Sequence, residues 1–263
     1  MTETTAGPVR DRLLDVRPGD RWLVAVAHPD DESFGCGSTI AHAAARGAEV
    51  TVACATRGEA GEPAPGSPDG DLGTVREGEL RRAAARLGVG RVELLGYRDS
   101  GFDGDPPAGS LCAASVPEVA DVLRRLVREL RPDVLLVLDG SDGHRDHLHV
   151  GAAARAALQG MDGGAPLLVE HCLPNSLLRR WLQEMRSLRP DTAYHALDPA
   201  TLGRDDADIT DVLDTAGVLD RREAAMAEHR SQASPFDGLS PDLRRAFLVR
   251  DHLARVDVPG DRA

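Results

Sequence analysis

Two short turns in this sequence carry the residue types that hold a metal ion and move protons. The first, His28-Pro29-Asp30-Asp31-Glu32, follows an apolar run ending at Ala27; the second, Asp139 to His147 (D-G-S-D-G-H-R-D-H), follows Asp133–Leu138. Imidazole and carboxylate donors suit zinc. His28 with Asp31, joined by one or more histidines from His144-x-x-His147-x-His149, would leave a position open for water. Zinc-acidified water attacking a carbonyl needs a base, for which Asp30 is the candidate, and a donor for the developing oxyanion, for which His144 is the candidate. Each turn alone has a plainer reading. Asp30-Asp31-Glu32 can cap a helix and complement its dipole, and His144 with His147 can be a solvated helix start. His149, two positions from His147, would point away from it on a helix, and His42, His171, His195 and His252 lack any such context.

What turns two ambiguous segments into one site is the order of elements that carries them. Leu23–Ala27 is uniformly apolar and short, as a strand buried on both faces of a parallel sheet is, and a helix-forming run closed by Gly47 leads to a second strand over 49–55. The alternation continues with a helix over 75–87, a strand over 91–95, a helix whose Val119, Leu123, Leu126 and Leu130 share a face, a strand over 133–138, a helix over 150–158 and a fifth strand near 166–170. This predicts an α/β, Rossmann-like, mainly parallel sheet of order 3-2-1-4-5 with helices on both faces. Ligands then bind beyond the carboxyl ends of strands 1 and 4, which are neighbours. Periodicity is weak over 173–211, and the C-terminal part, 211–253, is expected to be helical, with helices around 213–229 and 243–253. The Gly/Pro-rich stretches 57–74 and 96–115 read as loops near the site, the first as a lid.

At 263 residues one domain spanning 1–263 is the expectation. The net charge of −12 and an aromatic content of 3% offer neither a basic stripe nor stacking platforms, so nucleic acid is not an expected partner. The 31 basic residues are all arginine, which removes a lysine nucleophile or Schiff base. Cys36, Cys54, Cys112 and Cys172 form no C-x-x-C pair and read as buried thiols. With no signal-peptide pattern and no apolar run of spanning length, the chain is expected to be soluble and cytoplasmic, without membrane insertion.

A-H-P-D-D-E at 27–32 together with G-H-R-D-H at 143–147 resembles the LmbE/PIG-L family of zinc-dependent de-N-acetylases. Thr56–Glu62 and His229-Arg230-Ser231-Gln232 are similar to further family segments. The resemblance implies one zinc ion on His28, Asp31 and His147, Asp30 as general base, and His144 as the electrophilic histidine. Arg76 and Asp99 resemble the substrate-contacting arginine and aspartate of the family's mycothiol-pathway members. The implied reaction is hydrolysis of the acetamide of a small N-acetylated amino sugar to amine and acetate. The alternatives are an amidase acting on a thiol-sugar conjugate and a non-catalytic metal-binding Rossmann-like module. A nucleotide-binding Rossmann domain would show G-x-G-x-x-G after the first strand, and this chain does not. Three departures stand out: Ser38 for a common glycine, Arg145 where H-P-D-H members have proline, and Asp142 where some members carry a tyrosine suspected of assisting the transition state. The first two are expected to be harmless; the third puts tyrosine assistance in doubt and suggests a different substrate subgroup.

Overall fold

A computed structural model describes residues 10–161, 164–188, 195 and 197–258. Five strands, β1 (Arg21–Val26), β2 (Glu49–Cys54), β3 (Arg91–Leu94), β4 (Val134–Leu138) and β5 (Leu167–Cys172), pair in parallel in the order β3-β2-β1-β4-β5. The crossovers are α1 (Gly37–Ala45), α2 (Leu72–Leu87), α3 (Val116–Leu130) and α4 (Arg145–Leu158). The expected α/β sheet and its switch point are therefore present.

Alternation along β1 feeds two separate cores. Trp22, Val24 and Val26 pack with Ile40 of α1 and with Leu80 and Leu87 of α2, whereas Leu23 and Ala25 pack with Leu123 of α3 and Ala153 of α4. Both faces of the strand are buried, which is why its sequence is a continuous apolar run rather than an alternating one.

The C-terminal part corrects the sequence reading. After α5 (Asn175–Leu188) come β6 (Asp211–Asp214), α6 (Leu219–Met226), α7 (Pro241–Leu248) and β7 (Arg250–Val256). β7 joins β5 antiparallel and β6 joins β7 as the edge strand, so both ends of the stretch expected to be helical are strands. The strand pattern is masked because a charged residue of β7 faces inward: Asp251 is 1% exposed and pairs with Arg222 of α6 at 3.1 Å. The helix α5, in the region of weak periodicity, turns Leu177, Leu178, Leu182 and Met185 into a third apolar cluster with Phe236, Leu243 and Phe247. The helix expected from 150 begins at Arg145, which puts His147 in its first turn. Among the described residues no helix is long and apolar enough to cross a membrane.

Candidate metal centre

Ala25 of β1 pairs with Val137 of β4, so the chain beyond each strand leaves the sheet at the same edge. After β1, Pro29 ends the extended run and Asp31–Gly35 forms a single π-helical turn ahead of α1. Such a wide turn leaves carbonyls without partners along its axis. Arg222 supplies them: Nε donates to Ser33 O at 3.2 Å, and Nη2 to Phe34 O at 2.7 Å and Gly35 O at 2.9 Å. Nη1 of the same guanidinium donates to Ser38 Oγ at 2.9 Å and Asp251 Oδ1 at 3.1 Å. The π-turn, the start of α1 and strand β7 are thus tied to one buried cation.

Asp31 faces inward. Its Oδ2 accepts from the backbone N–H of Ala27 at 3.1 Å and of His28 at 2.9 Å, leaving Oδ1 aimed at His147 Nε2, 3.2 Å away. That histidine nitrogen is buried and makes no hydrogen bond. His28 places Nδ1 3.8 Å from Asp31 Oδ2, while its Nε2 lies 3.1 Å from Asp146 Oδ2 and 3.6 Å from Asp99 Oδ1. Candidate donor atoms of His28, His144 and His147 lie within 4.8 Å of one another, as do those of His28, Asp99 and Asp146. His149 lies outside both groups.

The field at this point is made for a cation. Burial disfavours a charged His28, but Asp146, Asp99 and Asp31 outweigh it and raise its pKa to about 9. Asp31 and Asp142 likewise outweigh burial at His147 and hold it well above the ordinary histidine range. Asp31 in turn stays well below the usual carboxylate range against its own burial, because His147 and His28 face it. An orphaned imidazole nitrogen beside a carboxylate oxygen, inside a ring of carboxylates, fits a metal held by N and O donors.

Asp30 is built differently from its neighbour. It is a non-glycine residue at φ 121°, a backbone conformation costing about 1–3 kcal/mol. Its N–H donates to Glu32 Oε2 at 2.9 Å, and its Oδ2 accepts from Arg76 Nη2 at 2.9 Å. Arg76 is 3% exposed and also donates to Pro29 O at 2.5 Å and Gly58 O at 2.6 Å. A side chain at Gly58 would collide with that guanidinium, so the glycine is needed for the approach. Burial, against the Arg76 charge, raises the Asp30 pKa to about 6. Glu32 is held by His229, whose Nε2 lies 2.6 Å from Glu32 Oε1, both residues buried. Arg76 therefore sits against the proposed base as well as in the cavity wall.

His144 is the N-cap of α4, and its Nδ1 accepts the N–H of Asp146 at 3.2 Å. Nε2 then carries the proton of the neutral ring and remains a donor. Burial and the cationic His28 and His147 lower its pKa to about 4, so the ring stays neutral near pH 7.

A polar cavity of about 680 Å³ opens at this cluster, lined by Arg76, Asp99, Asp103, Glu62, Gln232 and His144 among others. The two Gly/Pro-rich loops supply its rim through Ala60–Glu62 and Gly101–Asp103. Asp99, 6% exposed, accepts from Gly101 N at 2.8 Å and Ala60 N at 3.3 Å, joining the loops.

Each departure noted in the sequence has a structural place. Ser38 Oγ donates to Leu248 O at 3.1 Å and accepts from Arg222. Arg145 holds the carbonyls of Ser100, Gly101, Asp103 and Gly104, which fixes the loop carrying Asp99. Asp142 Oδ2 lies 2.7 Å from His147 Nδ1. Sequence reasoning passed over Asp146, which is fully buried and also accepts from Ser100 N at 3.1 Å and Cys112 Sγ at 3.0 Å. Its place beside His147 in G-H-R-D-H was the available signal. Glu32 and His229 each stand in a segment of family resemblance, but their pairing, like that of Arg222 with Asp251, had no signal short of the fold.

Comparison with known proteins agrees with this geometry. The model of the family described as PIG-L, GlcNAc-PI de-N-acetylase, matches residues 23–158. A 1D-myo-inositol 2-acetamido-2-deoxy-alpha-D-glucopyranoside deacetylase from Thermobispora bispora is 36% identical over 92% of this chain and 90% of its own length. Teicoplanin deacetylase Orf2, in its zinc-inhibited form, shares the fold at a TM-score of 0.63 and 19% identity, covering 92% of this chain and 100% of its own. N,N'-diacetylchitobiose deacetylase from Pyrococcus horikoshii shares it at a TM-score of 0.60 and 21% identity, covering 90% and 84%. The chain belongs to the PIG-L family of de-N-acetylases, hydrolases of the N-acetyl amide.

Proposed function

We propose that the protein is a zinc-dependent deacetylase, with one zinc ion per chain, that acts in the cytoplasm on an N-acetylglucosamine-type sugar joined to inositol and releases the free amine and acetate. The observation that carries the reading is the buried, unpartnered Nε2 of His147, 3.2 Å from Asp31 Oδ1, in the crevice beyond β1 and β4. Names of relatives such as the Thermobispora bispora deacetylase support the substrate class.

His28, Asp31 and His147 would hold the ion. When bound, zinc acidifies a water molecule and polarises a carbonyl oxygen. Asp30 takes the proton of the attacking water and passes it to the departing amine. Arg76 fixes its carboxylate, the N–H donated to Glu32 fixes its backbone, and burial keeps it more basic than an ordinary aspartate. His144 donates its Nε2–H to the oxygen that becomes negative as the acyl carbon turns tetrahedral. Asp146 orients His28, and Asp142 orients His147. The sugar's hydroxyls meet Arg76, Asp99 and their neighbours in the polar cavity.

The test is acetate release from the N-acetylglucosaminyl-inositol conjugate, N-acetylglucosamine and N,N'-diacetylchitobiose, with metal content measured in parallel. The inositol conjugate is expected to give the highest kcat/KM, chelation to stop release and added zinc to restore it. No acetate from any member of the panel with fully metal-loaded protein would overturn the assignment.

A further inference from the structure

Phe102 is the most exposed large apolar side chain among the described residues, at 65%, yet it stands on a tightly bonded loop. Arg145, the first residue of α4, donates Nε to Gly101 O at 2.7 Å, Nη1 to Gly104 O at 2.7 Å, and Nη2 to Asp103 O at 2.9 Å and to Ser100 O. One guanidinium thus holds the two carbonyls before Phe102 and the two after it. Asp99 adds a further anchor by accepting the N–H of Gly101 at 2.8 Å. A lone exposed phenylalanine needs no explanation by itself; its surroundings do.

The Phe102 ring lies edge-on to His144, with centroids 5.5 Å apart and planes at 78°. Among the described residues it is the one large apolar side chain in the lining of the polar cavity. A pyranose of the N-acetylglucosamine type has two kinds of surface, hydroxyls around its rim and C–H bonds on its faces. Arg76, Asp99 and Gln232 suit the rim. A face set against those groups would strip them of water without replacing the hydrogen bonds, which is costly, whereas a phenyl ring is an apolar partner of matching size. The position also selects which ring is met. His144 serves the carbonyl of the amide, and the amide is carried on the sugar itself, so a side chain against His144 is within reach of that pyranose rather than of a remote aglycone.

Building on the deacetylase assignment, we infer that Phe102 is a specificity-determining residue that stacks on a face of the pyranose bearing the amide, with Arg145 as the positioning residue that holds the ring ready. Because the loop is ordered before substrate arrives, the entropy of fixing it is not lost again on binding. The substrate class narrows to N-acetylated amino sugars in the ring form with a free apolar face. Open-chain N-acetyl amines with the same hydroxyls are disfavoured. Proline, the residue of H-P-D-H members, can begin the helix equally well but has no donor for these four carbonyls.

The test compares N-acetylglucosamine with N-acetylglucosaminitol, its open-chain alditol, which keeps the acetamide and the hydroxyls but has no ring face. Acetate release by metal-loaded protein gives kcat/KM, and an inhibition constant takes its place where a compound binds without being cleaved. Phe102→Ala should lower kcat/KM for the ring form by about tenfold, chiefly through KM, and leave the alditol within about twofold. Phe102→Tyr should keep the ring preference. Since the side chain is exposed, the melting temperature should stay at the wild-type value in both variants. In metal-loaded Arg145→Pro protein the same Phe102→Ala step should cost less than about threefold, because a loop no longer held cannot present the ring. Equal loss on both compounds would assign Phe102 to holding His144 and overturn the stacking, as would no loss on either; an undiminished step in the Arg145→Pro background would overturn the role of Arg145. Cleavage of N-acetylglucosamine that does not depend on Phe102 leaves the deacetylase assignment standing, whereas no cleavage of any N-acetylated sugar overturns both.

Discussion

The crevice beyond β1 and β4 and the cap formed by α5, α6, α7 and β7 face each other across the same cluster, yet they are built by opposite means. The crevice is polar, drawn mainly from two contiguous turns, and its charged side chains pair across the two strand ends, Asp31 with His147 and His28 with Asp146, or with a neighbouring helix, Asp30 with Arg76 of α2. The cap is apolar where it meets the site, drawn from residues dispersed between 173 and 250, and tied together and to the π-turn by the buried pairs Arg222–Asp251 and His229–Glu32. The polar cluster is written locally in this chain, and the apolar wall that faces it is written by long-range packing.

The largest stability effect expected is at the fastening. Asp251→Asn leaves Arg222 without its counter-charge, and removing one partner of a buried pair costs about 3–5 kcal/mol. Burial alone would raise the Asp251 carboxyl, but Arg222, His171 and Thr39 hold it below the usual range. A depressed folded-state pKa stabilises above the unfolded value of about 4 and loses that contribution as pH falls through and below it. The gap in denaturant midpoint between the wild-type protein and Asp251→Asn should therefore hold from pH 7 to about 4 and begin to narrow by pH 3. A gap still constant at pH 3 would mean that the cap does not depend on this charge.

A smaller and more local effect is expected at Asp142, which bonds His147 from outside the cluster. Loss of such a partner weakens metal affinity by roughly 10–100-fold. Asp142→Asn should show this in competition with a chromophoric chelator while its melting temperature stays close to wild type. Unaltered affinity would make the 2.7 Å contact incidental to the ligand. The position is occupied in some family members by tyrosine, so the result also distinguishes a gain of ligand orientation from a simple loss of transition-state help.

The same division explains what could be read from the sequence. His28, Asp30, Asp31, His144 and His147 were legible because two strand ends carry them and parallel topology makes those ends neighbours. Arg76 and Asp99 were found by family resemblance, and the structure puts both at the polar cavity, with Arg76 engaged by Asp30. Glu32 and His229, 197 positions apart, were not legible as a pair, since no local pattern selects such a partner. β7 escaped because strand alternation fails when an inward position is an aspartate neutralised by an arginine from another element, and β6 because its four residues bury only Leu213. α5 carries a helical apolar stripe, but the stripe packs on the cap rather than on the sheet, outside the βα alternation that organised the rest of the reading.

The central claim is that adjacent aspartates have separate roles, Asp31 holding the metal and Asp30 moving the proton. It is tested most directly by measuring metal content and the pH dependence of acetate release in Asp30→Asn and Asp31→Asn side by side. With Asp30 raised to about 6 by burial, the wild-type rate should fall on the acid side with a midpoint at or below about 6, since a cation nearby favours the carboxylate. Asp30→Asn should keep its metal, lose that acid limb and turn over about 10²–10⁴-fold more slowly. Asp31→Asn should lose the metal first and regain part of its activity when zinc is added. Metal lost from Asp30→Asn and kept by Asp31→Asn, or full acetate release from both, would contradict the account.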